Sequence, residues 1–434
     1  MQFAAFTILT AVIIIRPAEL FTAMLGWPIY NYTILLNLAI SFLLIFPQFS
    51  WTSIKSRPIT ALVFGLFVAI VLSQAWQRDF YSLRVCADEF FRVILFYLLL
   101  TGTVTTTGRL RSYLFWVTIF LAFITILILL QFHGQIDMPT LQALEEGGTD
   151  EETGEVDTYL RLQGTGLFQN PNAYSRILTV GVLLSCYGLT DPIGRYFAPV
   201  WLGAIALFGH AMILTKSRGG FLGLLAGLTM LFIAKLGMKK ALPIIAIAAP
   251  IMFVVFGGGR QTDLSSDEGT AQTRIQHWYD GFEAFKRTPI FGVGMSNYQE
   301  HAHGYVAHNS FVHAYVELGI VGGVMYTGIY YILITTLWNL RKSDPLIVDP
   351  LLVRIRPFLL AIFVGEAVGM LAISRNYVLP TYLLIGVGTV YLDFVGKSPG
   401  VEVPRLTSKL VKKVVVVGLA VLIVFMLYVR YKAK

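Results

Sequence analysis

Long apolar runs follow one another along almost the whole chain, and they limit the possible folds more than any other feature. About thirteen of them approach the length that crosses the hydrocarbon core of a bilayer. Apolar residues make up 56% of the 434 residues and charged residues only 13%, whereas roughly a quarter of a soluble domain is charged. The chain therefore lacks the polar surface of a soluble protein. We predict an all-α polytopic membrane protein, because a backbone in lipid must satisfy its own hydrogen bonds.

The predicted spans number twelve or thirteen, because the first is short and the one that begins near Phe90 carries charged residues. We expect one integral membrane domain over residues 1–434 rather than several folded domains. The apolar start lacks a basic segment and a cleavage site, so we interpret it as a retained first helix. The predicted spans lie at about 2–15, 31–47, 58–76, 88–104, 112–132, 171–188, 197–215, 220–235, 241–256, 309–338, 356–373, 376–394 and 413–430.

Lysine and arginine cluster in alternate connections, and this bias predicts the orientation of the chain. Short basic connections such as "SIKSRP", "TTTGRLRS" and "KLGMKK" are assigned to the cytoplasm. The two long connections, residues 133–170 and 257–308, then lie on the outer side. The C-terminal "RYKAK" lies outside with thirteen spans and inside with twelve. The net charge of +8 lies mostly in the cytoplasmic connections, so no nucleic-acid partner is implied.

The first long connection is strongly acidic, with seven carboxylates between Glu145 and Asp157. A run of like charge is usually solvated, so we predict a solvated and partly mobile loop over residues 133–170. A calcium site is the alternative, but the spacing of an EF-hand loop is absent.

Four of the seven histidines fall within thirteen residues, at positions 301, 303, 308 and 313. No carboxylate or cysteine completes a recognisable ligand set among them and no HExxH motif is present, so we predict no metal site. His301 and His303 are expected to be solvated. His313 and Glu317 share one face of a predicted span. This pair is either functional, as buried ionisable groups in a membrane often are, or it only ties helices together.

Three segments of the predicted outer side carry a cation or a proton acceptor. Arg218 precedes Gly219 and Gly220 at a helix N-terminus, where the backbone is open and the helix dipole favours an anion. Arg274 opens an amphipathic helix whose apolar residues Ile275, Trp278, Phe282 and Phe285 recur at helical spacing. His308 begins the next span. An alternative for each arginine is a surface charge whose stem covers apolar residues.

These residue types point to one chemistry. Arginine grips a diphosphate through paired N–H donors, and histidine accepts a proton near neutral pH. Together they suggest a lipid-linked diphosphate as leaving group and a hydroxyl as nucleophile. We expect Arg218, Arg274 and His308 to lie within reach of one cavity.

The motifs resemble those of the O-antigen ligase and polymerase superfamily. "RLQGTGLFQNPNAYSR", "SRGG", "PIFGVG" and "HNSFVHAYVELGIVGG" follow in the order that this family has. The ligase signature is a histidine and an Asn, Ser or Gln, then nine residues, then Gly-x-x-Gly. Here His308 and Asn309 precede Gly319 and Gly322 at that spacing. The resemblance covers about 160–325, and the loop at 257–308 is short for a ligase.

The resemblance implies a large helical bundle in the bacterial inner membrane, with a periplasmic loop that caps a lateral cavity. It implies metal-independent, inverting glycan transfer from an undecaprenyl-diphosphate carrier, without a cofactor. By the same resemblance Arg218 and Arg274 bind the diphosphate and His308 is the base. The residues expected to line the substrate site are Arg161, Asn170, Asn172, Arg176, Asn309, His313 and Glu317.

The acceptor remains open at this stage. A ligase transfers the glycan to lipid A-core, and a polymerase transfers it to a lipid-linked repeat; the signature favours a ligase. A transporter of lipid-linked glycan is the alternative from another class. Such proteins often consist of two related halves, and no internal repeat is found in this sequence.

Overall fold

The computed structural model describes residues 1–149, 156–256 and 268–432 of the protein. Part of the acidic connection (150–155) and part of the predicted catalytic loop (257–267) lie outside the described residues. The helices of the described part are α1 (Gln2–Ile15), α2 (Pro17–Leu20), α3 (Ile29–Ile45), α4 (Trp51–Ser56), α5 (Pro58–Trp76), α6 (Phe80–Thr103), α7 (Thr107–Phe132), α8 (Pro171–Thr190), α9 (Ala198–Thr215), α10 (Arg218–Leu236), α11 (Met238–Phe256), α12 (Glu268–Arg287), α13 (Tyr298–His301), α14 (Ser310–Asn339), α15 (Pro350–Gly369), α16 (Leu379–Val395) and α17 (Ser408–Lys432).

The predicted all-α membrane architecture is confirmed. Each of the thirteen predicted spans coincides with one of these helices. Within the described part of the chain, eight helices are long and apolar enough to cross a membrane by length and composition, and α16 is a shorter apolar helix. Several of the other predicted spans carry charges within their apolar sequence, as α6 does at Asp88, Glu89 and Arg92. The chain is a multi-pass membrane protein.

The chain divides into two compact units, each assembled from segments that are distant in sequence. The first unit consists of Met1–Asn37, Arg111–Thr262 and Val364–Gly369. The second consists of Leu38–Leu110, Asp263–Phe363 and Met370–Lys434. The two units are described separately below.

In the first unit, α8 is buried along nearly its whole length and packs against α9 and α10. The acidic connection contains a hairpin in addition to a loop: β1 (Leu144–Thr149) pairs antiparallel with β2 (Val156–Arg161), and Leu144 lies opposite Arg161. The prediction of a solvated loop did not include this hairpin. The hairpin is tied to the end of α9, because the Arg161 guanidinium donates from Nε to the Thr215 carbonyl (3.0 Å).

In the second unit, α14 packs against α5 and α17, and α6 packs against α5 and α16. The predicted amphipathic helix is confirmed as α12, which buries Ile275, Phe282 and Phe285. The helix begins at Glu268, so Arg274 lies in its second turn and not at its start, where it was predicted. It lies against α14 and the C-terminal part of α17. The described end of α17 is beside α12, since the Lys432 carbonyl accepts a hydrogen bond from Gln272 Nε2 (3.3 Å). This is the side on which the thirteen-span count puts it.

Candidate functional site

His308 occupies the turn that leads into α14, and the backbone on both sides of it is held. Its φ of 47° lies in the left-handed region, which a non-glycine residue adopts only when its surroundings impose it. On one side the Trp278 indole N–H donates to the Ala307 carbonyl. On the other, Asn309 caps α14, and its Oδ1 accepts hydrogen bonds from the N–H groups of Phe311 (3.0 Å) and Val312 (3.2 Å). These hydrogen bonds fix the position of the backbone that carries the imidazole.

The surroundings of His308 keep its imidazole uncharged. Burial lowers the pKa of His308 from 6.5 to about 4, and the positive charge of Arg274 adds to the effect. His277, His313 and Arg375 lower this pKa further. A neutral imidazole is the form that accepts a proton. The side chain is half-buried, so a reacting group can still approach it.

Arg375 and His277 surround His308 but were missed by the sequence analysis. The N–H of Arg375 donates to Ser310 Oγ (2.9 Å), which places this residue beside the start of α14. His277 lies one turn after Arg274 on α12 and stacks on Tyr305, with 4.5 Å between the ring centroids. Arg375 had one sequence signal, because it is a single arginine between the apolar helices α15 and α16.

His313 and Glu317 form the buried pair that their spacing predicted. His313 Nε2 lies 2.9 Å from Glu317 Oε1, and the Tyr298 ring stacks on His313 at 4.9 Å. The same carboxylate oxygen accepts a hydrogen bond from the Ser296 N–H (2.8 Å). The Tyr377 hydroxyl also interacts with this carboxylate. The pair therefore attaches the preceding loop to α14.

Gly319 interrupts α14, and this interruption explains the signature glycine. Its φ of 65° and ψ of −165° are not helical. The segment Pro289–Gly294 enters the break and pairs with it: the N–H of Ile320 donates to the Pro289 carbonyl (2.8 Å) and the N–H of Gly294 donates to the Glu317 carbonyl (2.9 Å). A Cβ on Gly319 would lie 2.2 Å from the Ile290 oxygen. No other residue fits here without a shift of the backbone.

The α5 helix holds the inserted segment from the other side. Gln77 Nε2 donates to the Gly292 carbonyl (2.8 Å) and Gln74 Nε2 donates to the Met295 carbonyl (2.7 Å). Ser73 Oγ donates to the Glu317 carbonyl (2.6 Å). The Ser73 bond satisfies the Glu317 carbonyl at the break in α14, and the two glutamine bonds satisfy carbonyls of the loop. They also fix the loop that leads towards His308.

The first unit gathers a separate polar cluster at the starts of α8 and α10. Asn170 caps α8 and Ser217 caps α10. Asn172 Oδ1 joins these two helix starts, because it accepts hydrogen bonds from Arg161 Nη2 (3.1 Å) and Ser217 Oγ (2.8 Å). Arg218 is the first residue of α10 and is half-buried. Arg161 also pairs with Glu146 (2.7 Å), so the two helix N-termini and Arg218 are the features of this cluster that suit an anion.

Like Arg161, which is ion-paired with Glu146 (2.7 Å), Arg176 is buried and already paired. Its Nε lies 3.1 Å from Glu366 Oε2, and both side chains are nearly inaccessible to solvent. A buried ion pair is costly to break, since either partner alone leaves an uncompensated charge. Arg176 therefore joins α8 to the end of α15, the segment Val364–Gly369 of the same unit.

The predicted site residues thus fall into two sets. The second unit holds Arg274, His308, Asn309, His313 and Glu317, and the first unit holds Arg161, Asn170, Asn172, Arg176 and Arg218. The expectation that Arg218 shares a cavity with Arg274 and His308 stays a prediction. In the described ranges, no group of three or more His, Cys, Asp or Glu residues is positioned to hold a metal ion. His301 and His303 are exposed, as expected for solvated residues.

Comparison with known proteins points to the same part of the chain. Residues 203–327 match a family model described as O-antigen ligase. The matched range contains Arg218, Arg274, His308 and the break at Gly319. No curated protein matches the chain.

Proposed function

We propose that the chain is a membrane glycosyltransferase of the O-antigen ligase type, because residues 203–327 match the family model described as O-antigen ligase. It transfers a glycan from an undecaprenyl-diphosphate carrier to an acceptor hydroxyl, with inversion at the anomeric carbon and without a metal ion. The observation that carries the proposal is the neutral, half-buried His308 beside Arg274. This arrangement provides a proton acceptor next to a cation that attracts a diphosphate.

The transfer step assigns a task to each set of residues. The acceptor oxygen attacks the anomeric carbon and its proton passes to His308. The bond from the anomeric carbon to the diphosphate oxygen breaks, and the electron pair leaves with the diphosphate. Arg274 balances the charge that develops on this leaving group, as does Arg218 in its helix-start cluster with Arg161 and Asn172.

Donor binding would also adjust the basicity of His308. In the free protein, burial and Arg274 hold its pKa low. A bound diphosphate brings negative charge, which favours the protonated imidazole and raises this pKa. The imidazole would then accept a proton most readily when the donor is present. This coupling protects the carrier from premature reaction and is the physical reason to place a cation beside the base.

The acceptor is the finer part of the proposal. Lipid A-core is favoured, because His308, Asn309, Gly319 and Gly322 carry the complete ligase signature. The alternative is a polymerase that extends lipid-linked repeats, which the short loop at 257–308 supports. In both cases the protein lies in the bacterial inner membrane, and the face that bears His308 is directed to the periplasm.

Reconstitution tests the proposal. The purified protein is supplied with a lipid-linked glycan and, separately, with lipid A-core or with a second lipid-linked repeat. Glycosylated lipid A-core identifies a ligase, and lengthened lipid-linked glycan identifies a polymerase. Activity is expected to survive EDTA. Release of polyprenyl diphosphate without either product would indicate hydrolysis and would contradict transfer.

A further inference from the structure

A cavity of about 530 Å³ lies between α12 and α17, in the second unit. Four of its residues come from α12 and five from the C-terminal part of α17. We call it the α12–α17 groove, and it is lined by Tyr279, Phe282, Glu283, Lys286, Ile423, Met426, Leu427, Val429 and Arg430. None of these residues belongs to the site described above.

The walls of the groove are apolar and open towards lipid. Phe282 forms a buried wall on the α12 side. On the α17 side, Ile423 and Leu427 are 54% and 59% exposed, and α17 is one of the helices apolar enough to cross a membrane. Exposed aliphatic side chains on such a helix face hydrocarbon rather than water. The groove can therefore accept an acyl or isoprenoid chain from the bilayer.

The rim of the groove carries a small excess of positive charge. It holds Lys286 and Arg430 against one carboxylate, Glu283. Lys286 Nζ lies 2.5 Å from Glu283 Oε1, but these side chains are 53% and 40% exposed. An exposed ion pair of this kind contributes little, so a phosphate can replace the carboxylate as the partner of Lys286. Apolar walls below a cationic rim fit a phosphorylated lipid.

Trp278 connects the groove to the proposed base. Its ring centroid is 6.2 Å from those of Phe425 and Tyr428 on α17, the helix that forms one wall of the groove. Its indole N–H donates to the Ala307 carbonyl, immediately before His308. Trp278 thus contacts both the helix that lines the groove and the backbone that carries His308.

We propose that the α12–α17 groove binds the phosphorylated lipid that carries the acceptor hydroxyl. Its apolar chain lies against Phe282 and Leu427, and its phosphate contacts Lys286 and Arg430. The sugars of the acceptor then extend past Trp278 towards His308. This inference rests on the proposed function, because only a transferase requires an acceptor lipid. It holds for lipid A-core and for a lipid-linked repeat, since both combine phosphate with apolar chains.

A matched pair of charge reversals tests the rim. Lys286→Glu should raise the KM for the lipid acceptor by roughly tenfold or more, because it replaces an attraction for phosphate by a repulsion. The KM for the donor should stay unchanged. Arg287→Glu makes the same change of charge one residue further along α12, outside the groove, and should alter the acceptor KM less than about twofold.

A second matched pair tests the walls. Leu427→Trp fills the groove and should weaken acceptor binding, whereas Val424→Trp adds the same bulk to an exposed α17 residue that does not line it. Equal effects within either pair, or an effect on donor KM alone, would overturn the proposal.

A direct binding measurement tests the groove independently of the proposed transfer activity. Binding of lipid A-core, or of a lipid-linked glycan, to the His308→Ala protein in phosphatidylcholine nanodiscs requires no turnover. Loss of binding on adding Lys286→Glu, but not Arg287→Glu, supports the groove even if the wild type transfers nothing. Equal competition by phosphatidylglycerol would show a general site for anionic lipid and would contradict an acceptor site.

Discussion

At the scale of single residues, the environment of His308 determines what it can do. Burial and Arg274 hold its pKa at about 4, so it is neutral across the physiological range. The unfolded chain binds this proton more readily than the folded protein. The contribution of the neutral imidazole to folding is therefore present above pH 6.5 and is lost as the pH falls through about 4.

The pH dependence of transfer follows from this pKa. For the wild type, kcat/KM should stay constant from neutral pH to about pH 5 and fall only near pH 4, where the free base becomes protonated. Arg274→Met removes one cause of the lowered pKa, so its acidic limb should move upward, towards 6.5. Arg287→Met, on the same helix, should leave the profile in place. An unchanged limb in Arg274→Met would show that this cation does not act on His308.

Some of the residues around His308 could be predicted from the sequence and others could not. Arg274 and Asn309 are recognisable because they are adjacent to strong local patterns, an amphipathic helix and a helix start. His277 and Arg375 are not, because they reach His308 from α12 and from the segment before α16. The isolated arginine between α15 and α16 marks Arg375 as unusual, but no local pattern shows that either residue approaches His308.

At the scale of secondary-structure elements, hydropathy predicts the helices but not the break in α14. All thirteen predicted spans have a helix, and α12 was predicted from its apolar spacing. The span 309–338 was predicted as continuous, because Gly319 lies among apolar residues and hydropathy does not register a backbone conformation. The break depends on pairing with Pro289–Gly294, which is a non-local interaction. The hairpin in the acidic connection was missed because its charges indicated only solvation.

Substitution of the signature glycine tests this pairing. Gly319→Ala places a Cβ 2.2 Å from the Ile290 oxygen at a φ of 65°, so it should cost more than the roughly 1–3 kcal/mol of a strained backbone. Thermal melting should show a marked loss of stability, and activity should fall with it. Gly203→Ala is the control, because no atom lies within 4 Å of a Cβ at this α9 residue. A Gly319→Ala protein that melts like the wild type would contradict the pairing.

At the scale of the whole molecule, the charge bias predicts that both sets of site residues face the periplasm. Cysteines introduced at Lys216, Gln272 and Tyr305 report on the neighbourhoods of Arg218, Arg274 and His308. All three should react with a membrane-impermeant thiol reagent in intact spheroplasts, because their segments belong to the non-cytoplasmic set. A cysteine at Lys239, in the basic set, should react only after lysis. If a cysteine at one of the three outer positions fails to react in intact spheroplasts, the two sets of residues do not all face the periplasm, and the prediction is contradicted.

In the proposed reaction, His308 removes the proton of the acceptor and Arg218 binds the diphosphate. The direct test is donor affinity measured beside the single-turnover rate for purified variants, with folding checked by thermal melting. His308→Ala should bind donor like the wild type and turn over about 100- to 10,000-fold more slowly. Arg218→Ala should lose affinity as well as rate, and Arg218→Lys should not restore it, because lysine lacks the paired donors. Turnover of His308→Ala at the wild-type rate, or a defect confined to donor binding, would contradict the account.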